Sequence, residues 1–401
     1  MKQFISQWMN HDIIHIIKSG FINLSSITII ISILSLLVNF PVENVRSFLE
    51  MSLGKLYTDI LPALMNGFYH YISLFTAVSI GYEAGKRWQL YVPNAMLMVL
   101  FIFLCTCPTE SSDTISLSYL NSNAIFLAVL CGILVPFGLK KLETINLRIH
   151  MPKEVPDEVA RSFEILLPDL GIILIVLSII ALVKLIFNQN IPDLIFNTIR
   201  QPMTALGGHL ISLIIVNLGI SCLWFFGFNG TYLFNTVLTP VLLSFSLENM
   251  QALAQGQAPV HIITGSFQSL YTHIGGSGST LALIIAILLV SKNKHYQSIA
   301  KAALIPGIFN ISEPIVYGLP VILNFKLFFP FLLCPVINTI ITYFSMDWGL
   351  VNYTNGIQLP WTTPVLISGF LSSGVSGAVL QGFLVLINVL IYFPFINKNV
   401  S

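Results

Sequence analysis

The feature that most constrains this chain is the recurrence of long apolar stretches almost free of charge. A helix that crosses a bilayer needs about 20 predominantly apolar residues. Stretches approaching that description run Phe21–Phe40, Leu61–Tyr82, Leu90–Cys107, Leu120–Leu139, Leu170–Phe187, Leu206–Phe226, Thr231–Leu247, Thr280–Ser291, Leu327–Met346 and Val375–Phe395, the eighth being short. Two more pieces, 257–279 and 302–325, are nearly as poor in charge but are interrupted by Gly and Pro, which suits re-entrant hairpins rather than simple spans. Only 9% of the 401 residues are charged, against about 25% in an average soluble domain. The chain therefore reads as an all-α integral membrane protein of about ten transmembrane helices plus two re-entrant hairpins.

Other classes fall away. The net charge is +1 and there is no basic block, so nucleic acid is not a partner. The five cysteines, Cys105, Cys107, Cys131, Cys222 and Cys334, lie in apolar surroundings without the paired spacing of a zinc site or a disulfide framework. They read as buried thiols, and neither a metal nor a cofactor is called for. The first twenty residues carry Lys2, Asp12 and Lys18 and lack the compact apolar core of a signal peptide, so the N-terminus is expected to be retained.

Lys and Arg concentrate in connections on the cytoplasmic side. In the ten-span scheme Lys86, Arg87, Lys140, Lys141, Lys292, Lys294, Lys301 and Lys326 share one side with both termini, whereas Arg46, Lys55, Lys184 and Arg200 fall on the other. Both termini are expected to be cytoplasmic. The loop "PTESSDTISLS", with Glu110 and Asp113 and no base, suits the outside. Charge also divides the chain. Residues 1–200 read as a membrane scaffold half, ending beyond the charged, partly amphipathic connector Lys140–Glu164; residues 201–401, where charges almost vanish, read as a substrate half.

Four segments of that second half carry the chemistry. In "PGIFNISEPIVYG" Glu313 sits between prolines in an apolar run. An ionisable group at membrane depth is costly and marks a functional site by default, and the prolines and glycines forbid a continuous helix, freeing backbone groups for a ligand. The alternative is a solvated glutamate in a surface loop. In "HIGGSGSTLAL" a glycine turn opens an apolar helix, so Gly275, Gly276 and Ser277 can present amides at a hairpin tip, although small residues also serve close packing. His273 reads more readily as a hydrogen-bonded structural histidine than as a base. In "LWFFGFNGTYL" Asn229 and Gly230 suit a positive backbone angle in a tight turn. In "LPWTTPVLISGF" Trp361 offers a platform for a sugar ring with Thr362 and Thr363 as polar contacts; an interfacial aromatic is the alternative.

Together, in this order, "LWFFGFNG", "VHIITGSF", "HIGGSGSTLAL", "LIPGIFNISEPIVYGLPVILN", "PWTTPVLISGF" and "LINVLIYFPF", with the connector "MPKEVPDEVARSFEILLPDL", resemble enzyme IIC of the bacterial phosphoenolpyruvate-dependent sugar phosphotransferase system, in its lactose, cellobiose and chitobiose branch. The resemblance implies a plasma-membrane permease for a beta-linked disaccharide such as cellobiose or chitobiose, and a homodimer formed through the N-terminal half. It implies one sugar site per subunit, and phosphorylation by a phosphocysteine on a separate IIB protein, with IIA, HPr and enzyme I upstream. The Asn-Glu-Pro glutamate maps onto Glu313, which would hold the reacting hydroxyl and accept its proton; a desolvated carboxylate with raised pKa suits that task. Asn310 and Ser312 flank it, and the aromatic of the Pro-Trp-Thr-Thr-Pro motif is Trp361.

Two residues depart from the family pattern: Asn229 stands where histidine is usual, and Ser312 where asparagine is usual. Asn still donates and accepts hydrogen bonds but does not titrate near neutrality. Two other readings therefore stand beside the permease: a proton-coupled secondary sugar transporter using Glu313, and a degenerate, non-phosphorylating IIC-like protein.

Overall fold

The computed structural model describes residues 11–40, 42–108, 114–145, 149, 152, 155, 156, 160, 163–319, 321 and 324–397. The described chain is overwhelmingly helical, as a backbone in hydrocarbon must be to satisfy its own hydrogen bonds. The principal helices are α1 Asp12–Val38, α2 Glu43–Leu53, α3 Leu61–Arg87, α4 Val92–Thr106, α5 Ile125–Thr144, α6 Leu166–Phe187, α7 Leu210–Phe225, α8 Gly230–Ala254, α9 Thr280–Val290, α10 Lys294–Ile308, α11 Glu313–Gly318, α12 Phe325–Asp347 and α13 Ile367–Asn397. Six helical stretches among the described residues are long and apolar enough to cross a membrane: α1, Ser122–Thr144, α6, Gly265–Val290, α12 and most of α13. Helices α4 and α7 are apolar but shorter. The two remaining apolar stretches of the sequence lie on α3 and α8, which carry more polar side chains. Lys2, the acidic loop with Glu110 and Asp113, much of the connector 140–164, Pro320 and Lys398 lie outside the described residues.

The chain forms two compact units. The first consists of the described parts of Met1–Ile27 and Gly67–Met203. Its core joins Ala77, Val99, Phe103, Ala128, Leu139 and Ile172 from α3 to α6. Small residues let these helices approach closely, the usual device where lipid removes any hydrophobic difference between neighbours. A Cβ on Gly20 of α1 or on Gly132 of α5 would come within 2.7 Å of the Ile80 side chain of α3. Ser79 Oγ donates to the Gly20 carbonyl at 2.8 Å, and an Arg87–Asp12 ion pair at 2.8 Å ties the helix ends.

The second unit consists of the described parts of Thr28–Asn66 and Thr204–Ser401. Residues 28–66 thus group with the C-terminal part of the chain, anchored for instance by the Gln358 amide donating to Ser32 Oγ at 2.8 Å. One apolar cluster surrounds α9 and includes Ile220, Phe225, Leu283, Ile315, Phe331 and Tyr392. A second includes Leu213, Leu242, Phe267, Tyr271, Met346 and Leu384. Helical continuity fails in this unit before α9, between α10 and α12, across the extended stretch that precedes α13, and within α13 at Gly374, whose φ is 72°. Those interruptions position the site.

Candidate functional site

The glycine turn before α9 is built from left-handed backbone. Gly275 and Gly276 have φ of 75° and 96°. A Cβ on Gly276 would lie 2.6 Å from Ser312 Cβ and 2.8 Å from the Asn310 carbonyl, and one on Gly275 would collide with Leu281. Glycine is therefore required twice over, by angle and by space. Tyr392 from α13 donates to the Gly278 carbonyl at 2.7 Å, and Thr280 Oγ1 donates to the Gly275 carbonyl at 2.9 Å, so the tip is held from both sides.

Asn310 joins three of the four sequence motifs. Its Oδ1 accepts from the Gly275 amide at 2.8 Å. Its Nδ2 donates to the carbonyls of Trp361 at 2.9 Å and Thr363 at 3.0 Å. The residue is itself left-handed, with φ 62°, a conformation Asn tolerates better than most residues because its short amide can bond locally. Next to it, the Val365 amide donates to the Ile308 carbonyl at 3.2 Å. Segments far apart in sequence thus meet through the Asn310 side chain and through backbone carbonyls and amides.

Around this junction the proposed site residues are distributed unevenly. Ser312 is buried behind Gly276, and Ser277 is buried in the tip. Thr362 and Thr363 are half-buried, while Trp361 is 58% exposed. Glu313 opens α11 and is exposed. Ile315 and Val316 take the inward positions of the six-residue helix, and the first turn leaves Glu313 at the surface of the chain. His273 does not join the Asn310 junction; its Nε2 meets Asn217 Oδ1 at 3.2 Å. Asn229 is exposed in the turn before α8. The left-handed residue of that turn is Gly227, φ 83°, rather than Asn229 or Gly230. Gly230 is glycine for space instead, since a Cβ there would strike the Ile220 carbonyl. The turn is pinned by Trp224 Nε1 donating to Thr231 Oγ1 at 3.0 Å, and Trp224 packs in the cluster that holds Ile315 and Val316.

Beneath the glycine turn lies a polar network that charge counting does not find. Gln268 Nε2 donates to Asn217 Oδ1 at 2.6 Å, and Asn217 Nδ2 donates to Thr339 Oγ1 at 2.8 Å. Asn338 Nδ2 donates to the Thr272 carbonyl and to Ser279 Oγ, each at 3.0 Å, and its Oδ1 accepts from Asn388 Nδ2 at 2.9 Å. Asn217, Asn338, Thr339 and Asn388 are fully buried. Because Asn217 Oδ1 is an acceptor, His273 Nε2 carries the proton in this bond. The signal was present as isolated amides in "IIVNLGI", "PVINTII" and "LINVLIY", since an uncharged amide in hydrocarbon also needs partners.

The charge-poor unit of this multi-pass helical membrane protein gathers three broken segments around one asparagine. The family model "Phosphotransferase system, EIIC" matches residues 18–335. The oligo-beta-mannoside-specific EIIC component of Bacillus subtilis (strain 168) is 32% identical, covering 97% of this chain and 90% of its own. The cellobiose-specific EIIC component of Geobacillus stearothermophilus is 30% identical, covering 95% and 88%. The crystal structure of the transporter ChbC, the IIC component from the N,N'-diacetylchitobiose-specific phosphotransferase system, superposes with a TM-score of 0.92 at 28% identity, over 99% of this chain and 96% of that one. The chain belongs to the EIIC family: it is the membrane-embedded sugar permease component of a phosphotransferase system, which works with a IIB protein and a sugar.

Proposed function

We propose that this permease takes a beta-linked disaccharide of the cellobiose or chitobiose kind and presents one hydroxyl at Glu313 to a phosphocysteine on a separate IIB protein. The Asn310 junction carries the reading, because it gathers Gly275, Trp361 and Thr363 beside the segment that ends in Glu313. The named specificities of the relatives, oligo-beta-mannoside, cellobiose and N,N'-diacetylchitobiose, support the substrate class. In the reaction the sugar oxygen attacks phosphorus, the S–P bond breaks, the IIB cysteine leaves as thiolate, and Glu313 takes the hydroxyl proton. Phosphoryl transfer asks chiefly for alignment and water exclusion. Glu313, at the surface of the chain, is within reach of a docking protein, and bound sugar together with IIB excludes water from it.

The wider arrangement follows the same reading: ten spans with two re-entrant hairpins, both termini cytoplasmic in a bacterial plasma membrane, residues 201–401 as the transport half, and a homodimer through residues 1–200. IIA, HPr and enzyme I supply phosphate upstream. The test is sugar-phosphate formation by purified protein with phosphorylated IIB and cellobiose, N,N'-diacetylchitobiose or mannobiose. Glu313→Gln should lower the rate by about 100-fold or more, the usual worth of a general base, while sugar binding by calorimetry persists. Full activity in that variant would remove Glu313 from catalysis, and no product from any sugar with the unaltered chain would reject the substrate class. A rate unchanged in Asn229→His assigns proton handling to Glu313 alone.

A further inference from the structure

A second polar cluster in the same unit stands apart from the Asn310 junction. Glu248, near the C-terminal end of α8, pairs with His261 Nε2 at 2.7 Å through Oε2, while Oε1 accepts from Ser244 Oγ at 2.9 Å. The His261 ring stacks on Phe245, 4.3 Å between centroids and 26° between planes. Asn249 fixes the His261 backbone on both sides: its Oδ1 accepts from the His261 amide at 2.8 Å and its Nδ2 donates to the His261 carbonyl at 2.8 Å. Beside this pair lies an open groove of about 210 Å³, whose lining includes Val260, His261, Ile262, Ile263, Tyr343 and Tyr353.

The groove and the Asn229 turn lie at opposite ends of the helices. Glu248 is about 27 Å along α8 from Gly230 at 1.5 Å rise per residue, close to the roughly 30 Å of a bilayer core. Helix α12 runs the same way: its first residue, Phe325, packs against Phe225 beside the turn with ring centroids 5.5 Å apart, while Tyr343, near its far end, lines the groove.

We propose that this groove is an outer subsite for one neutral pyranose ring, which the sugar occupies before it reaches the Asn310 junction; the inference rests on the permease reading above. The chemistry fits such a ring. Sugar hydroxyls donate and accept at once, and the groove presents the His261 imidazole, itself paired with Glu248, together with two tyrosines. The half-buried Tyr343 and Tyr353 give apolar faces with polar edges, on which the C–H face of a pyranose can lie. The pair is only half-buried, with side chains 27% and 26% exposed, so a ring can reach it without unfolding the loop. An acyl chain would gain nothing from the Glu–His pair.

The experiment is protection of Val260→Cys, an exposed groove position, from a bulky membrane-impermeant thiol reagent. Labelling at position 260 is read by peptide mass spectrometry, which separates it from the exposed Cys105. The probe is cellobiose against equal mannitol, with no IIB present. Labelling should slow by the factor 1 + [sugar]/Kd, about tenfold at ten times Kd; protection should survive Glu313→Gln and be lost in Tyr343→Ala and in His261→Ala. Labelling indifferent to cellobiose, or protection that disappears with Glu313→Gln, overturns the proposal, the latter because it would report a distant change at the transport site. A groove variant counts only if it still elutes as a monodisperse species; otherwise Tyr353→Ala takes its place. Failure of sugar phosphorylation by the unaltered chain would reject the permease's substrate class while leaving this protection readable.

Discussion

At the residue scale, Asn310 is worth more to the site than its size suggests. One amide makes three hydrogen bonds to backbone groups of two other segments, and each is worth about 1 kcal/mol net. Asn310→Ala should therefore weaken cellobiose binding by about tenfold or more, measured by calorimetry on detergent-solubilised protein. Asn310→Gly keeps the left-handed backbone cheap but removes the same bonds, so it should lose nearly as much. If Asn310→Gly binds normally, φ and not the amide is what matters. The importance of Asn310 was only half legible. The sequence placed it beside Glu313 in a broken segment, but that its side chain would tie the glycine tip to the Trp361 loop depends on contacts across 35 and 53 positions. Glu313 shows the converse: its identity and the prolines around it stood out at once, whereas its exposure followed from Ile315 and Val316 claiming the inward face.

At the element scale, the broken helices before α9 rest on α12 and α13 through buried amides. Asn338→Leu would leave the Thr272 carbonyl, Ser279 Oγ and the Asn388 amide without their partner. Hydrogen bonds between membrane helices average about 0.6 kcal/mol and reach about 1.7, so the combined loss should be about 1–3 kcal/mol. Thermal unfolding followed by loss of monodispersity should show a clear drop in midpoint. Adding Asn388→Leu should recover part of it, because the second substitution removes an orphaned donor rather than another bond. Equal and additive losses would show that the two amides do not act together. Charge does not reveal this network, because amides carry none and a stretch free of Asp, Glu, Lys and Arg can still hold Asn and Gln.

At the scale of the whole molecule, the arrangement of basic residues makes a claim about sidedness. Lys294, in the first turn of α10, is exposed and belongs to the basic connections assigned to the cytoplasm. Lys294→Cys should react with an impermeant thiol reagent in inside-out vesicles and not in right-side-out ones. Labelling from the outside would invert the topology and, with it, the face on which IIB docks. The chain's two compact units refine the division drawn at residue 200. Charge density separates 1–200 from 201–401, but Thr28–Asn66 packs with the later part, through bonds such as Gln358 to Ser32 that no local property announces.

The sequence by itself determined the solvent and the family. A chain with so few charges and apolar runs near bilayer length can satisfy its backbone only as membrane helices, and motifs in a fixed order identify their kind. It located the breaks only in part: the helix fails between Ile308 and Glu313, but Pro306 lies inside α10, and Pro330 and Pro335 lie inside α12. Only the tertiary structure decided which breaks meet, which polar groups are buried together and which carboxylate faces outward. Those outcomes depend on packing between residues tens to hundreds of positions apart, and a hydrogen bond such as Asn310 to Thr363 exists only once two separate segments have been brought within 3.0 Å.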